Sequence, residues 1–576
     1  MTKPELMHGE HCMFPSIIEK IDSLLSSHGF SRERDQESFA RARVWVLNDI
    51  DWCEHRMPLR LVLPGSFPAD PAELFINNEW CLKLPHVEGN GHLCLGTFVD
   101  GIDFDQPELA IKRVLDQFED FLLKCADPQW VNAEFHNERE SYWLRHMDMA
   151  IPAQLKPPPD LWLQLPRVPE IAACVMPARK LKGRKISFAA PSEENLTELV
   201  ERYDWEIDKQ VAGAALVLYL PEGVPWTPQS WPTTFKQLDD LFIQHAGTSA
   251  SIAAWLGRKR WTHDVPMYAA VVQGAATCGW YLYQHTWVPR PVPELRPVRV
   301  GRIDRTWALC RDHQIDKLDM LSEKRVTIFG AGSVGGALAE ALARAGVGGI
   351  DLVDTQLFEA ENVSRHILGI ADARRVKVTR IKAKLQRDIP GINVHAWCLD
   401  ACTWLRSNAA KARSDIIVDC TGETSVRLAL AQYQDAEGLL LARMNVWTEP
   451  YGAAGHVVVV TGKDVWPLTD PVDDKVNVAR WPADTRVELP GCGHGFHEYG
   501  LSDIAPLIGI ATAAVLEQLD KPDTTSRVLS HVRRPDFFLG KAPGIKLNRE
   551  YHFEDGEEAK TLRCDLQKML YGGKLT

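Results

Sequence analysis

Apolar positions recur along the chain in two rhythms, and each predicts a different element. Runs of β-branched and aromatic residues in "ARVWVL" and "LRLVLP", within residues 42–64, predict adjacent strands. After residue 100 the rhythm lengthens. Ile111, Leu115, Phe118, Leu122 and Cys125 share one helical face. The strand rhythm returns in "GAALVLYL" (213–220) and "MYAAVVQG" (267–274), with "PTTFKQLDDLFIQH" between them reading as a helix. From about residue 300 strand and helix patterns alternate, as in a parallel sheet. Two proline-rich stretches, Ile151 to Pro169 and Trp287 to Val298, lack the backbone donors of a helix or central ladder and read as extended linkers. The expected organisation is therefore an α+β block over 1–150, a linker over 151–179, a middle α/β block over 180–290, a third block over 300–525 and a C-terminal segment over 526–576.

Composition narrows the function. A chain of 576 residues with a formal charge of -12 exceeds one hydrophobic core and argues against a broad nucleic-acid surface or a polybasic membrane patch. The first residues show no basic-then-apolar signal, and the longest apolar run, Val211 to Leu220, is too short to span a bilayer. A cytoplasmic protein with no membrane partner is the expectation. The thirteen cysteines include no CxxC pair, so neither a disulfide framework nor a four-cysteine zinc site is expected.

The strongest motif is "KRVTIFGAGSVGGALAEALARAGVGGIDLVD", Lys324 to Asp354. A strand leads into Gly330, Gly332 and Gly335, a helix carries Val334, Leu338 and Leu342 on one face, and a second strand ends at Asp354. Glycines at this spacing let backbone N–H groups approach phosphates at a helix N-terminus, and an acid at the next strand end can hold ribose hydroxyls. In "DTQLFEAENVSRHIL" the residues Asn362, Arg365 and His366 follow, and Lys377 comes twelve after Arg365. Hydride transfer has no use for an arginine and a lysine beside the ribose acid, whereas carboxylate adenylation does, because charge builds on the α-phosphate as pyrophosphate leaves. ATP is the expected nucleotide.

These residues, with "DIIVDCTGETSVR" (415–427), resemble the ThiF/MoeB and ubiquitin-activating adenylyltransferases. The resemblance implies a Rossmann-like domain in which Gly330, Gly332, Gly335, Asp354, Asn362, Arg365 and Lys377 bind ATP. "RIDRTWALCR" (302–311) is similar to the family's segment that sends an arginine to the other subunit's phosphates, which implies a homodimer and points to Arg305, with Arg302 and Arg311 as alternatives. The chain departs from the pattern twice. His366 replaces a glutamine, and Gly422 stands where the family has its metal-associated aspartate, leaving Glu423 or Asp419 as substitutes toward Mg2+.

Two cysteines then matter. Cys492 lies between glycines, with His494 and His497 nearby, ahead of an apolar helix. Such a thiol is accessible, and in ubiquitin-activating relatives a loop here takes the acyl group from the adenylate. Cys94 lies in "LPHVEGNGHLCL", and the surrounding order is similar to the ubiquitin-conjugating fold: strands, a proline turn, the cysteine, then helices. In that family an asparagine stands eight residues before the cysteine. Here it is His86, able either to donate a hydrogen bond to an oxyanion or to take a proton from an incoming lysine. Cys53, Cys81 and Cys125 lack such a setting and read as core thiols.

The whole arrangement resembles the bacterial fusion enzymes of type II CBASS antiphage operons. That resemblance implies activation of the C-terminus of a cGAS/DncV-like nucleotidyltransferase, thioesters on Cys492 and Cys94 in turn, and ligation to a target amine. Three other readings stand beside it: an activating and conjugating enzyme for a ubiquitin-like protein, a sulfur-carrier adenylyltransferase with an inactive N-terminal module, and a nicotinamide-dependent oxidoreductase. The middle block shows no recognisable site chemistry.

Overall fold

The computed structural model describes residues 15–33, 42–52, 55–96, 100–150, 158–165, 172–179, 185–191, 206–207, 213–259, 265–284, 292–309, 315–435, 438, 440–462, 464–482, 485–488 and 495–572. The chain divides into two compact units, Met1–Arg302 and Ile303–Thr576.

The first unit begins with an antiparallel sheet in the order Ser31–Arg32, Arg43–Trp52, His55–Leu63, Glu73–Phe75. Trp45, Leu59, Leu61 and Leu63 are buried on it, together with Val44 and Val62. The helix Pro107–Cys125 starts on a proline, favourable at the first turn because that N–H has no partner in any case. Ile111, Leu115, Phe118 and Cys125 are buried in the core against the sheet, as the spacing predicts. Asp127 caps the next helix, Pro128–Asn137, by accepting the Gln129 N–H at 2.9 Å. A third helix, Arg139–Ala150, buries Tyr142 and Trp143 in a neighbouring core. There Tyr142 packs edge-on to Phe135 at 4.8 Å, while Trp143 lies between Trp231 and Trp280 and donates its indole N–H to the Val298 carbonyl at 3.1 Å.

That neighbouring core rests on a nine-stranded mixed sheet containing Gly213–Tyr219 and Met267–Gln273, as expected, and the helix Phe235–Ala246 between them. The linkers are a correction. Asp160–Leu163 and Ala172–Arg179, inside the expected linker 151–179, are strands of this sheet, and Glu294–Val298, inside the second proline stretch, pairs with Ala276–Tyr283. Asp160–Leu163 itself contains no proline, and Pro297 lies on the outermost strand, where it costs no essential ladder bond, so the nearby proline density did not prevent pairing. Leu161 and Leu163 are fully buried. The middle sheet thus draws on residues well outside 180–290.

In the second unit the sheet order is Asn393–Trp397, Gly349–Val353, Arg325–Phe329, Ile416–Asp419, Ala442–Thr448, Ala454–Val460, Arg527–Arg533, Ala559–Asp565. The first five strands are parallel and the rest antiparallel. Strand order reverses between Arg325–Phe329 and Ile416–Asp419, where a doubly wound sheet opens a crevice at its carboxyl ends. The last two strands correct the separate segment expected over 526–576: it completes the sheet, and Ala454–Val460 is not its final strand. The helix Leu501–Asp520 is long and apolar enough to cross a membrane by length and composition, but here Ile504, Leu507, Ala511 and Val515 are buried in the core against the helix Ser333–Arg344 and the sheet.

Candidate active site

The nucleotide crevice is built by local necessity. Gly335 is the only residue type its position admits: a Cβ there would lie 1.9 Å from the Gly330 carbonyl oxygen, so the helix Ser333–Arg344 can seat against the strand only without a side chain. Nothing stands in front of Gly332, the helix N-cap. Asp354 accepts the Ala331 N–H at 2.8 Å and the Gln356 N–H at 2.7 Å, joining the glycine loop to the end of the second strand. Gln356 in turn accepts from Lys377 Nζ at 2.7 Å. Burial holds the Lys377 ammonium below the usual lysine range, with Asp354 pulling it back up. The opposite wall carries Leu399, Asp400, Cys402, Thr421 and Glu423.

Three further expected ligands make contacts within the chain. Asn362 accepts the Glu359 N–H at 3.1 Å and closes its own turn. Arg365 donates to the His497 carbonyl at 3.2 Å and lies over the Tyr499 ring at 4.8 Å, while Tyr499 meets Ser333 Oγ at 3.0 Å. Arg305 bonds the carbonyls of Gly391, at 2.9 Å, and Gly346, just past the far end of the helix Ser333–Arg344. Twelve residues of helix span about 18 Å, so Arg305 does not reach its own chain's glycine loop. Arg302 donates to the Gly274 carbonyl at 3.1 Å. Cys310, Arg311, Cys492 and His494 lie outside the described residues, as does Cys53.

His366 has both ring nitrogens committed. Nδ1 accepts the Leu368 N–H at 3.1 Å, so Nε2 carries the proton and donates to the Ala331 carbonyl at 2.8 Å. Burial pushes its imidazole below the usual histidine range, keeping it neutral. Donor and acceptor at the two ends of a neutral group is also what a glutamine amide offers.

Asp419 is 1% exposed, its carboxyl pushed up to about 6 by burial despite two hydrogen bonds from Thr421. Gly422 sits at φ +71° and open to solvent, and Glu423 is exposed at the crevice mouth. Among the described residues no three ligating side chains converge on a point. A Mg2+ ion, which uses one or two carboxylates plus substrate phosphates, would find Glu423 rather than Asp419.

Cys94 sits in the first unit on a loop whose turns are tightly fixed. Gly91, at φ +87°, would place a Cβ 2.1 Å from the Ile76 carbonyl oxygen. The Cys94 N–H donates to the His86 carbonyl at 2.9 Å, and His86, at φ +58°, donates its own N–H to Tyr142 Oη at 2.9 Å. Glu88 receives Arg145, Nε at 2.8 Å. The thiol is exposed, whereas Cys81 and Cys125 are buried, as read from the sequence. Cys94, His86, Phe121, Lys124 and Trp130 line one groove. His86 Nε2 lies 3.1 Å from Glu134 Oε2, a contact 48 positions apart in the chain that carries no local signal. Gln356, Tyr142 and Tyr499 were likewise not read from the sequence.

Residues 304–531 match the ThiF family, and residues 32–152 match prokaryotic E2 family B. The chain joins a ThiF-family domain to a prokaryotic E2-family domain. The crevice of the ThiF domain is accordingly an ATP site, and the Cys94 groove belongs to the E2 domain. The chain is similar to the ATP-dependent ubiquitin transferase-like protein Cap2 of Enterobacter hormaechei subsp. hoffmannii, 25% identical over 233 residues, which cover 39% of this chain and 37% of that protein. It is also similar to the protein of the same name from Pseudomonas aeruginosa, 28% identical over 172 residues, 29% of this chain and 30% of the relative. The adenylyltransferase and sulfurtransferase MOCS3 of Bos taurus is 34% identical over 111 residues, 19% of this chain and 24% of that protein. The alignments with the two Cap2 proteins thus span about a third of those relatives' length.

Proposed function

We propose that this chain is an ATP-dependent activating and conjugating enzyme for a protein C-terminus. The observation that carries the reading is the pairing in one chain of the ThiF crevice, with Asp354 and Lys377 joined through Gln356, and an E2 groove holding an exposed cysteine beside a histidine. A C-terminal carboxylate attacks the α-phosphate of ATP and pyrophosphate leaves. Lys377 offsets the charge that develops there, and a Mg2+ held by Glu423 and the phosphates would neutralise the leaving group. The acyl group passes from the adenylate to the Cys492 thiolate with release of AMP, then to Cys94 with release of the Cys492 thiolate, an exchange between thiols that is nearly isoenergetic. An amine then makes the transfer irreversible.

A ubiquitin-like or other protein with a free C-terminus is the broad substrate class the two domains support. A cGAS/DncV-like nucleotidyltransferase in antiphage defence is the narrower proposal, and it rests on the resemblance alone. The protein is proposed to work in the cytoplasm as a homodimer, Arg305 or Arg302 serving the other subunit. Incubation with ATP and the proteins encoded beside its gene, followed by a search for thiol-sensitive adducts, tests the reading. Adenylation with no thioester on Cys94 would favour the sulfur-carrier alternative.

A further inference from the structure

Two roles for His86 follow from its chemistry, oxyanion donor and proton acceptor, and the structure distinguishes them. A carboxylate only accepts, so the ring nitrogen facing Glu134 at 3.1 Å, Nε2, carries the proton. In the neutral imidazole Nδ1 is then a lone pair, unable to donate to an oxyanion. The ring is held from several sides. Its backbone is pinned by Tyr142 Oη and the Cys94 N–H, and its faces pack near Trp130, at 6.3 Å, and Phe121, at 6.5 Å. Both His86 and Glu134 are only part-buried, at 20% and 25% side-chain exposure, so an incoming amine can reach the ring.

We propose that Glu134 is the positioning residue that makes His86 the general base for discharge of Cys94. The inference rests on the conjugating role proposed above. The acceptor nitrogen attacks the thioester carbonyl carbon, a C–N bond forms and the C–S bond breaks, and the Cys94 sulfur leaves as thiolate with the bonding pair. The proton lost by the nitrogen goes to His86 Nδ1 and from there to the thiolate. Glu134 fixes the tautomer that exposes this lone pair and faces the positive charge the ring gains.

The test needs no natural substrate. The full chain is acylated by exchange with a synthetic glycine-ended peptide thioester, Cys94 occupancy is followed by peptide mass spectrometry, and discharge to free L-lysine is timed across lysine concentrations. Wild type should discharge faster than a small-molecule thioester; equal rates would sink the conjugating role itself. His86→Ala should lose about 100-fold in the limiting rate, and Glu134→Ala about 10-fold or more with the half-saturating lysine concentration unchanged. The double variant should be no slower than His86→Ala, because the two act as one unit. Glu134→Gln, the isosteric change, serves if alanine fails to fold. A wild-type rate in either folded Glu134 variant, or losses that add in full in the double variant, overturns the proposal.

Discussion

His86 and His366 each stand where the related families have an amide side chain, yet the two sites use the ring in opposite ways. At His366 both nitrogens are spent on backbone partners, Ala331 and Leu368, and the ring is a half-buried strut under the glycine loop. At His86 one nitrogen is held by Glu134 and the other meets no hydrogen-bond partner among the described residues, in a groove shared with an exposed thiol. The same replacement conserves structure where every polar atom is paired and changes chemistry where one is left toward solvent. What a substitution means is set by the atoms that remain uncommitted.

The largest effects should separate the thiol beside His86 from the thiol downstream of His366. Cys492→Ala should permit adenylate formation and block every later thioester, while Cys94→Ala should leave a reducible adduct on Cys492 and abolish the amide product. Non-reducing gels and mass spectrometry with an identified substrate read both. Conjugation by Cys94→Ala at the wild-type rate would end the comparison, since His86 would then have no reaction to serve.

Next comes the lysine beside the strut. Lys377→Ala should lower substrate-dependent pyrophosphate exchange by about 100- to 1,000-fold with an unchanged melting temperature. Asp354→Ala should do the same with some loss of stability, because two backbone N–H groups lose their acceptor.

Restoring the amides sharpens the contrast directly. His366→Gln should keep pyrophosphate exchange within a few-fold of wild type, whereas His366→Ala should cost about 1–3 kcal/mol in urea unfolding by orphaning buried backbone groups. His86→Asn should fold normally, load Cys94 and discharge it slowly, since an amide is no base. A rapid His86→Asn enzyme would mean that hydrogen-bond donation suffices there.

The smallest effect is on acid stability. His366 has a folded pKa below its unfolded value of 6.5. Above 6.5 both states are neutral and the group adds no pH dependence; as pH falls from 6.5 toward the depressed folded value, the unfolded state alone binds a proton and stability is lost. Melting temperatures from pH 7 to pH 5 should therefore fall less steeply in His366→Gln than in wild type.

The sequence made the ThiF site legible because its signal is local. Gly330, Gly332, Gly335 and Asp354 lie within 25 residues, and each is demanded by a strand, a loop or a helix start. Cys94 was legible for its setting, and Cys81 and Cys125 for their lack of one. Glu134 was not, because only the packing of the helix Pro128–Asn137 brings it to His86. The proline-rich strands were missed because proline density outweighed the apolar alternation of "DLWL". Arg305 was read as reaching the other subunit, and the carbonyls of Gly346 and Gly391 that it meets in its own chain lie 41 and 86 positions away and carry no local signal.

The helix Arg139–Ala150 has a consequence for how such a gene can be cut and rejoined. Tyr142 and Arg145 fasten the Cys94 loop, and the adjacent Trp143 is embedded between Trp231 and Trp280 in the core of the next sheet. A break after residue 150 would leave an indole of fully buried size facing water on one fragment and an empty slot on the other. The module that recombination can move intact is therefore the first 302 residues, and the middle sheet travels with the conjugating cysteine as its foundation.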